Sequence, residues 1–239
     1  MKVDPDQCMG CGLCIPYCPV NSIADEGSVV SIDQEMCVEC GVCKRSGVCP
    51  VDALVEPELA WPRVLRSLFS NPITVHPGTG VAGRGTEELK TNDVTDRFVL
   101  GEVGFGVELG RPNMGTSFRD LEKVSMKLAP LGVRFEPKNP VTFLMKDPKT
   151  GELQDDVRDE RVLTAIIEFT VPESRTLNVL RVLEEVSDEI STVFSLDLIN
   201  RMPEKGDPPV LAALKDRGYY LAPNGKVCVG IGRRGGEPR

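Results

Sequence analysis

Two stretches of helical periodicity, each set among apolar runs, govern the second half of the chain. Phe118, Leu121, Val124 and Leu128 recur at spacings of three and four and so share one helical face. Ser117-x-x-Asp120 opens that helix as a capping box would, and Pro130 and Gly132 close it. Leu177, Leu180, Leu183, Val186 and Ile190 form a second stripe within ESRTLNVLRVLEEVSDEI. Around the helices, FVLGEVGFGVELG, VRFEP, VLTAIIEFTV and TVFSLDLIN read as strands, with Gly101, Gly104 and Gly106 expected at bends or close backbone approaches. The order is strand, helix, strand, strand, helix, strand.

Such a βαββαβ unit, with Ile166, Ile167 and Phe169 on its strands, predicts an α+β domain of two helices on one antiparallel sheet, the ferredoxin-like sandwich. That fold name implies no metal. VTFLMKDPKTGELQ reads as an inserted hairpin turning at Asp147 to Gly151. A short helix after residue 203 leads to GYYLAPNGKVCVGIG, where Asn224-Gly225 signals a C-terminal hairpin. Cys228 on its second strand reads as a small core residue.

The first sixty residues are patterned differently. Short β-type segments at 2–4 and 28–33 each precede a cysteine loop, and each loop ends in Cys-Pro followed by VNSI or VDAL, an internal repeat. Val20, Ile23, Val29, Ile32, Val51 and Leu54 are the candidate core, too small to be stable without help from a bound group. The expected organisation is thus 1–60, a connecting segment at 61–97, and 98–239. Within the connector, WPRVLRSLFSNP predicts a short helix ended at Pro72. Gly78, Gly80 and Gly83 match G-x-G-x-x-G formally, but Arg84-Gly85 interrupts and EELKTNDV has too few apolar positions for the amphipathic helix a dinucleotide site requires. A surface loop is the expectation there, and the lone His76 is expected to be structural.

Eight of the nine cysteines lie between residues 8 and 50. Their spacings are Cys8-x2-Cys11-x2-Cys14-x3-Cys18-Pro19 and Cys37-x2-Cys40-x2-Cys43-x5-Cys49-Pro50. Three thiolates at such gaps can wrap the corners of one cuboidal iron-sulfur cluster but leave one iron without a ligand. Zinc fits poorly, since structural zinc sites pair two C-x2-C units and the only histidine lies elsewhere. A disulfide framework would need an oxidising compartment, and MKVDPDQC lacks the apolar region of a signal peptide.

The run resembles the bacterial dicluster ferredoxins, over roughly the first quarter of the chain. Carried over by position, the resemblance implies two [4Fe-4S] clusters with crossed ligands. Cys8, Cys11, Cys14 and Cys49 would hold one, and Cys37, Cys40, Cys43 and Cys18 the other. The second motif departs from the common pattern, with five residues, Lys44 to Val48, where three are usual. That bears on the potentials more than on the ligation.

Charge adds direction. Residues 1–60 hold ten acidic and three basic side chains, a formal -7 of the chain's -8. An acidic carrier is steered toward a basic docking surface, whereas nucleic acid would want a basic face. No apolar run nears the roughly 18 residues of a membrane span, so neither membrane insertion nor nucleic acid is expected, and a cytoplasmic place is. Cubes bound by four thiolates have no open coordination site. The expected role is therefore low-potential electron transfer, as an electron-delivering subunit serving a redox partner protein or a larger anaerobic oxidoreductase complex.

Residues 98–239 would then be a docking module. Two other classes stand beside it. The βαββαβ unit resembles small-molecule-sensing domains such as the ACT family, with Gly-rich loops at 78–85 or 110–115 receiving a ligand. GTGVAGRGTEELKTNDVTDRF and GFGVELGRPNMGTSFRDLEKV are similar to segments beside the ferredoxin part of 6-hydroxynicotinate reductase. Arg84, Glu87, Glu88, Lys90, Asn92, Asp93, Arg111 and Asn113 are dense polar positions, candidate contacts for a substrate or partner, with a solvated loop as the other reading.

Overall fold

The computed structural model describes residues 1–83, 99–110 and 114–221. The polar positions from Arg84 to Asp93, Arg111, Asn113, Cys228 and the hairpin expected at Asn224-Gly225 all lie outside the described residues.

The cysteine-rich part folds as two matched halves. Strand β1 (Lys2–Val3), β2 (Ile23–Asp25), β3 (Val30–Ile32), the short helix α1 (Val42–Arg45) and β4 (Leu54–Val55) form two small antiparallel pairs, β1 with β4 and β2 with β3. Its buried apolar residues are Met1, Ile23, Val30 and Leu54, packed with Cys14, Cys37 and Cys43. Val30, rather than the expected Val29, is buried, because strand side chains alternate and Val30 shares a face with Ile32.

Helix α2 (Val64–Ser70) follows, and its two faces serve different neighbours. Leu65 and Phe69 join the large apolar core, where Phe69 meets the Phe118 ring edge to face at 5.4 Å. Arg66, buried, faces the cysteine-rich part: its Nη1 donates to the carbonyls of Gln34 (2.9 Å), Glu35 (3.0 Å) and Cys37 (2.8 Å). Its Nε donates to the Glu160 carboxylate, so one guanidinium ties both parts.

The larger part is built on β5 (Glu102–Leu109), β6 (Thr116–Ser117), helix α3 (Phe118–Leu128), β7 (Arg134–Phe135), the hairpin β8 (Met145–Asp147) with β9 (Glu152–Leu153), and β10 (Arg161–Val162). Then come β11 (Ala165–Pro172), helix α4 (Thr176–Ser187), β12 (Phe194–Asn200) and helix α5 (Pro209–Asp216). Four strands form one antiparallel sheet in the order β12-β5-β11-β7. Helices α3 and α4 pack together, and α3 also packs on β11. Phe118, Leu121, Val124 and Leu128 are fully buried against Val103, Phe105, Val107, Leu109, Ile167 and Phe169. The N-cap forms as the sequence implies, though without the reciprocal bond of a full capping box: Ser117 Oγ accepts from Asp120 N at 3.2 Å and donates to its carboxylate at 3.0 Å.

Three expectations are corrected. Gly104 and Gly106 mark no bend; β5 pairs without a break on both sides, with Gly106 in register between Glu168 and Asp197. Helix α4 buries Val179, Leu180, Val182, Leu183 and Val186, while Leu177 is only partly buried and Ile190 lies past the helix end. The buried stripe is wider than the sequence pattern because α5, with Val210 and Leu214, packs on α4 as a further apolar neighbour. VRFEP contributes just two paired residues, Arg134 and Phe135, because Glu136 onward turns toward buried Asn139.

The Gly-rich segment closes on itself over the described residues. Val75 and Ala82 form a bridge, His76 O accepts from Gly80 N at 2.8 Å and Thr79 N at 3.3 Å, and Gly83 N donates to Thr74 O at 3.1 Å. Amides spent in this way do not cradle a phosphate. His76 is buried, accepts from Gly78 N through Nδ1 at 3.2 Å, and stacks on Phe143. Burial holds its imidazole below the usual histidine range.

Candidate functional site

Each half of the repeat wraps its cysteines in the same backbone conformation, and the residue types follow from that. The turn after each Cys-Pro places its third residue, Asn21 or Asp52, in the left-handed region at φ 53° and 51°. Asn and Asp are the residues besides glycine that tolerate it. The chain then doubles back so that the next amide reaches the cysteine sulfur: Ser22 N donates to Cys18 Sγ at 3.1 Å and Ala53 N to Cys49 Sγ at 3.2 Å. The Ser22 hydroxyl also lies 3.1 Å from Cys18 Sγ. Hydrogen bonds of this kind stabilise thiolate and tune whatever the sulfur binds.

Inside each C-x2-C-x2-C loop two more residues take left-handed conformations. In the first loop both are glycine, Gly10 and Gly12. A Cβ at Gly10 would sit 2.6 Å from Gly27 O, so both the backbone angle and the neighbouring chain require glycine there. In the second loop Gly41 keeps its place, but Glu39 stands where Gly10 does, at φ 53°. A left-handed non-glycine residue costs roughly 1–2 kcal/mol. Glu39 is buried and fixed by Arg63, whose Nε and Nη2 donate to Oε1 at 2.9 and 2.6 Å, and by the Met1 ammonium.

These loops surround two cavities. One is lined by Cys8, Cys11, Cys14 and Cys49, together with Val3, Leu54 and others. The second is lined by Cys18, Cys37, Cys40 and Cys43 with Val20, Ile23 and Ile32. The eight sequence-predicted cysteines thus gather four by four, each Cys-Pro cysteine joining the other half's triplet, and all eight are free of disulfides. Among the described residues no three His, Cys, Asp or Glu side chains close on a single ion position. The sulfurs stand around voids that suit a cluster.

The thiols also need a cation. Burial, above all, pushes Cys43 up to about 11, and the neighbouring sulfurs of Cys40, Cys37 and Cys18 add to it. Cys40 is raised chiefly by burial too, with the Val42 amide and, less, Arg45 pulling the other way, and Cys14 is raised by burial with Cys49, Cys11 and Cys8 contributing. Thiols raised in this way become thiolates together with their neighbours when a thiophilic metal group replaces their protons. The donor set, the spacing and the void therefore fit an iron-sulfur cluster in each cavity.

The two sites are not equivalent. Cys11 is exposed, and Met9 and Leu13, which help line the first cavity, are 59% and 53% exposed. Cys37, Cys40 and Cys43 are all buried. Sequence reasoning missed Glu39, Arg45, Arg63 and Arg66. Glu39 carried a signal, since aligning the two halves sets it against Gly10. The arginines carried none, because three of them act on residues 24 to 94 positions away.

Comparison with known proteins agrees with the geometry. A 4Fe-4S binding domain family matches residues 1–24. The chain is 42% identical over 60 residues to the ferredoxin-like protein in vnf region of Azotobacter chroococcum, covering 24% of this chain and 92% of that protein. It is 31% identical over 100 residues to ferredoxin Fdx2 of Sorangium cellulosum, covering 39% of this chain and 92% of that protein. With ferredoxin-2 of Chlorobaculum tepidum it shares 37% over 57 residues, 21% of this chain and 89% of that one.

Proposed function

We propose, from the premise that this chain belongs to the 4Fe-4S ferredoxins through its N-terminal part, that it carries two [4Fe-4S] clusters and delivers single electrons to a partner within a larger oxidoreductase complex. The observation that carries this is the pair of cavities, each lined by four cysteines drawn from both halves of the repeat. When bound, a cluster supplies one-electron redox chemistry. The residues do the rest: four sulfurs per cavity leave no coordination position for a substrate, Ser22 N and Ala53 N hold Cys18 and Cys49 by their sulfurs, and Val3, Ile23, Ile32 and Leu54 keep bulk water from the inner walls. Exposed Met9 and Leu13 stand beside the first cavity and exposed Tyr17 (43%) beside the second, in an acidic part of the chain. That combination supports docking to a protein with a basic rim.

The strand order β12-β5-β11-β7, with α3 and α4 packed together, supports reading the second part as a ferredoxin-like sandwich. We assign it a docking role; the glycine-rich loop of the connecting segment, over its described residues, is hydrogen-bonded to itself. Among the described residues no helix is long and apolar enough to cross a membrane, and a cytoplasmic place is part of the proposal. Protein isolated without oxygen should contain about eight iron and eight sulfide per chain. Cys18→Ala should damage the site of Cys37, Cys40 and Cys43 and spare that of Cys8, Cys11, Cys14 and Cys49, read by the spectra of each cluster at its own potential. Damage confined to the Cys8 site would show that the ligands do not cross.

A further inference from the structure

The two extra residues in the second cysteine loop have a structural use. They make room for the helical turn α1, whose Arg45 N donates to Gly41 O at 3.0 Å and which Gly47 ends at φ 66°. That turn carries the Arg45 guanidinium back over Gly41. Its Nη2 donates to Cys40 O at 2.8 Å and its Nη1 to Asn71 Oδ1 at 2.8 Å. A Cβ on Gly41 would stand 2.5 Å from Nη1, so glycine is what lets the cation lie there.

Three arginines surround the second cysteine quartet, and they differ in one respect. Arg63 and Arg66 are paired with the carboxylates of Glu39 and Glu160. Arg45 bonds to neutral oxygens, a carbonyl and an amide, and among the described residues no carboxylate forms an ion pair with it. The first half has no such guanidinium. Ile15–Tyr17 occupies the equivalent turn and carries no basic side chain, and Lys44 touches the wall of the first cavity through Nζ donating to Leu54 O at 3.1 Å, not to the carbonyl of one of its cysteines.

We propose that Arg45 sets the potential of the second site, holding it well above the value its burial alone would give. The proposal rests on the cluster reading above. Reduction adds one electron, supplied by a low-potential protein donor, and with it one negative charge. Burial disfavours that charge, and the exposed first site is spared most of the penalty. A fixed cation at the wall of the buried site offsets it. The two sites then stay close enough in potential for an electron to pass between them, although one is buried and the other faces solvent.

The test is a redox titration followed by electron paramagnetic resonance on the anaerobic full-length protein, with iron analysis of every sample. In Arg45→Gln, one potential should fall by about 59 mV, a tenfold change in the reduced-to-oxidised ratio for a one-electron couple, while the other stays in place. The cluster that moves should be the one that Cys18→Ala damages, and Arg45→Lys should stay near the wild-type value. Unmoved potentials with full iron, or equal shifts of both, would overturn the role of Arg45. Loss of one cluster from Arg45→Gln but not from Arg45→Lys would make it a structural tie and overturn the proposal as well. Wild-type protein without iron would overturn the cluster reading itself.

Discussion

Arg66→Met is the substitution that most directly probes how the cysteine-rich part is held. Methionine keeps much of the stem of the side chain and removes the guanidinium. Left behind are the carbonyls of Gln34, Glu35 and Cys37 without this donor, and the Glu160 carboxylate, largely buried, without its cation. Removing one member of a buried charge pair costs about 3–5 kcal/mol, which at about 1.4 kcal/mol per decade is roughly 2 to 3.5 decades in the population of the opened form. Because two of those carbonyls flank the approach to Cys37 and the third is its own, the loss should fall first on the second cysteine site. The assay is anaerobic guanidinium unfolding of the full chain, following visible absorption for the cysteine part and far-ultraviolet circular dichroism for the sheet and helices. Bleaching should move to lower denaturant and separate from the dichroism transition. Arg119→Met, which removes an exposed pair with Asp159, should leave both unchanged. A bleaching midpoint shifted by less than about 1 kcal/mol would refute the reasoning, since a group so buried and so bonded cannot be lost that cheaply.

Ser117→Ala should cost about 1 kcal/mol by removing the cap of α3, read as a lower midpoint in the dichroism transition with the visible bleaching little moved. His76, whose buried imidazole resists protonation, contributes stability that is full above the unfolded-state value of about 6.5 and is lost as pH falls from there toward its depressed folded value. His76→Gln should therefore flatten the pH dependence of unfolding below neutrality; an unchanged slope would show that other groups carry it.

What could be read from the sequence was what repeats locally. Phe118, Leu121, Val124 and Leu128 sit one helical turn apart, so their common face was legible, and so was the Ser117 cap. The cysteine spacings announced two triplets, and the resemblance to dicluster ferredoxins supplied the crossed fourth member of each. Asn21 and Asp52 were visible in VNSI and VDAL as a repeat, although their left-handed turns were not. Illegible were the ties made at a distance. Arg63 reaches Glu39 across 24 positions and Arg66 reaches Glu160 across 94, and no periodicity relates them. The width of the α4 stripe was hidden for the same reason, since α5 joins it only in the folded chain.

Helix α2 also decides where this chain can be cut. A fragment ending at residue 60 would match the length shared with the Azotobacter chroococcum protein, yet it would lack the arginines that hold Glu39 and the carbonyls before Cys37. Extending it to residue 71 restores those arginines but brings Leu65 and Phe69 into water, stripped of the core they fill. Starting a second fragment after residue 71 leaves Phe118 without the ring it packs on and Leu163 N without the Ser70 hydroxyl. There is no seam. The electron-carrying part and its companion are therefore not interchangeable cartridges, and a graft of either onto another scaffold would have to take both faces of one seven-residue helix with it.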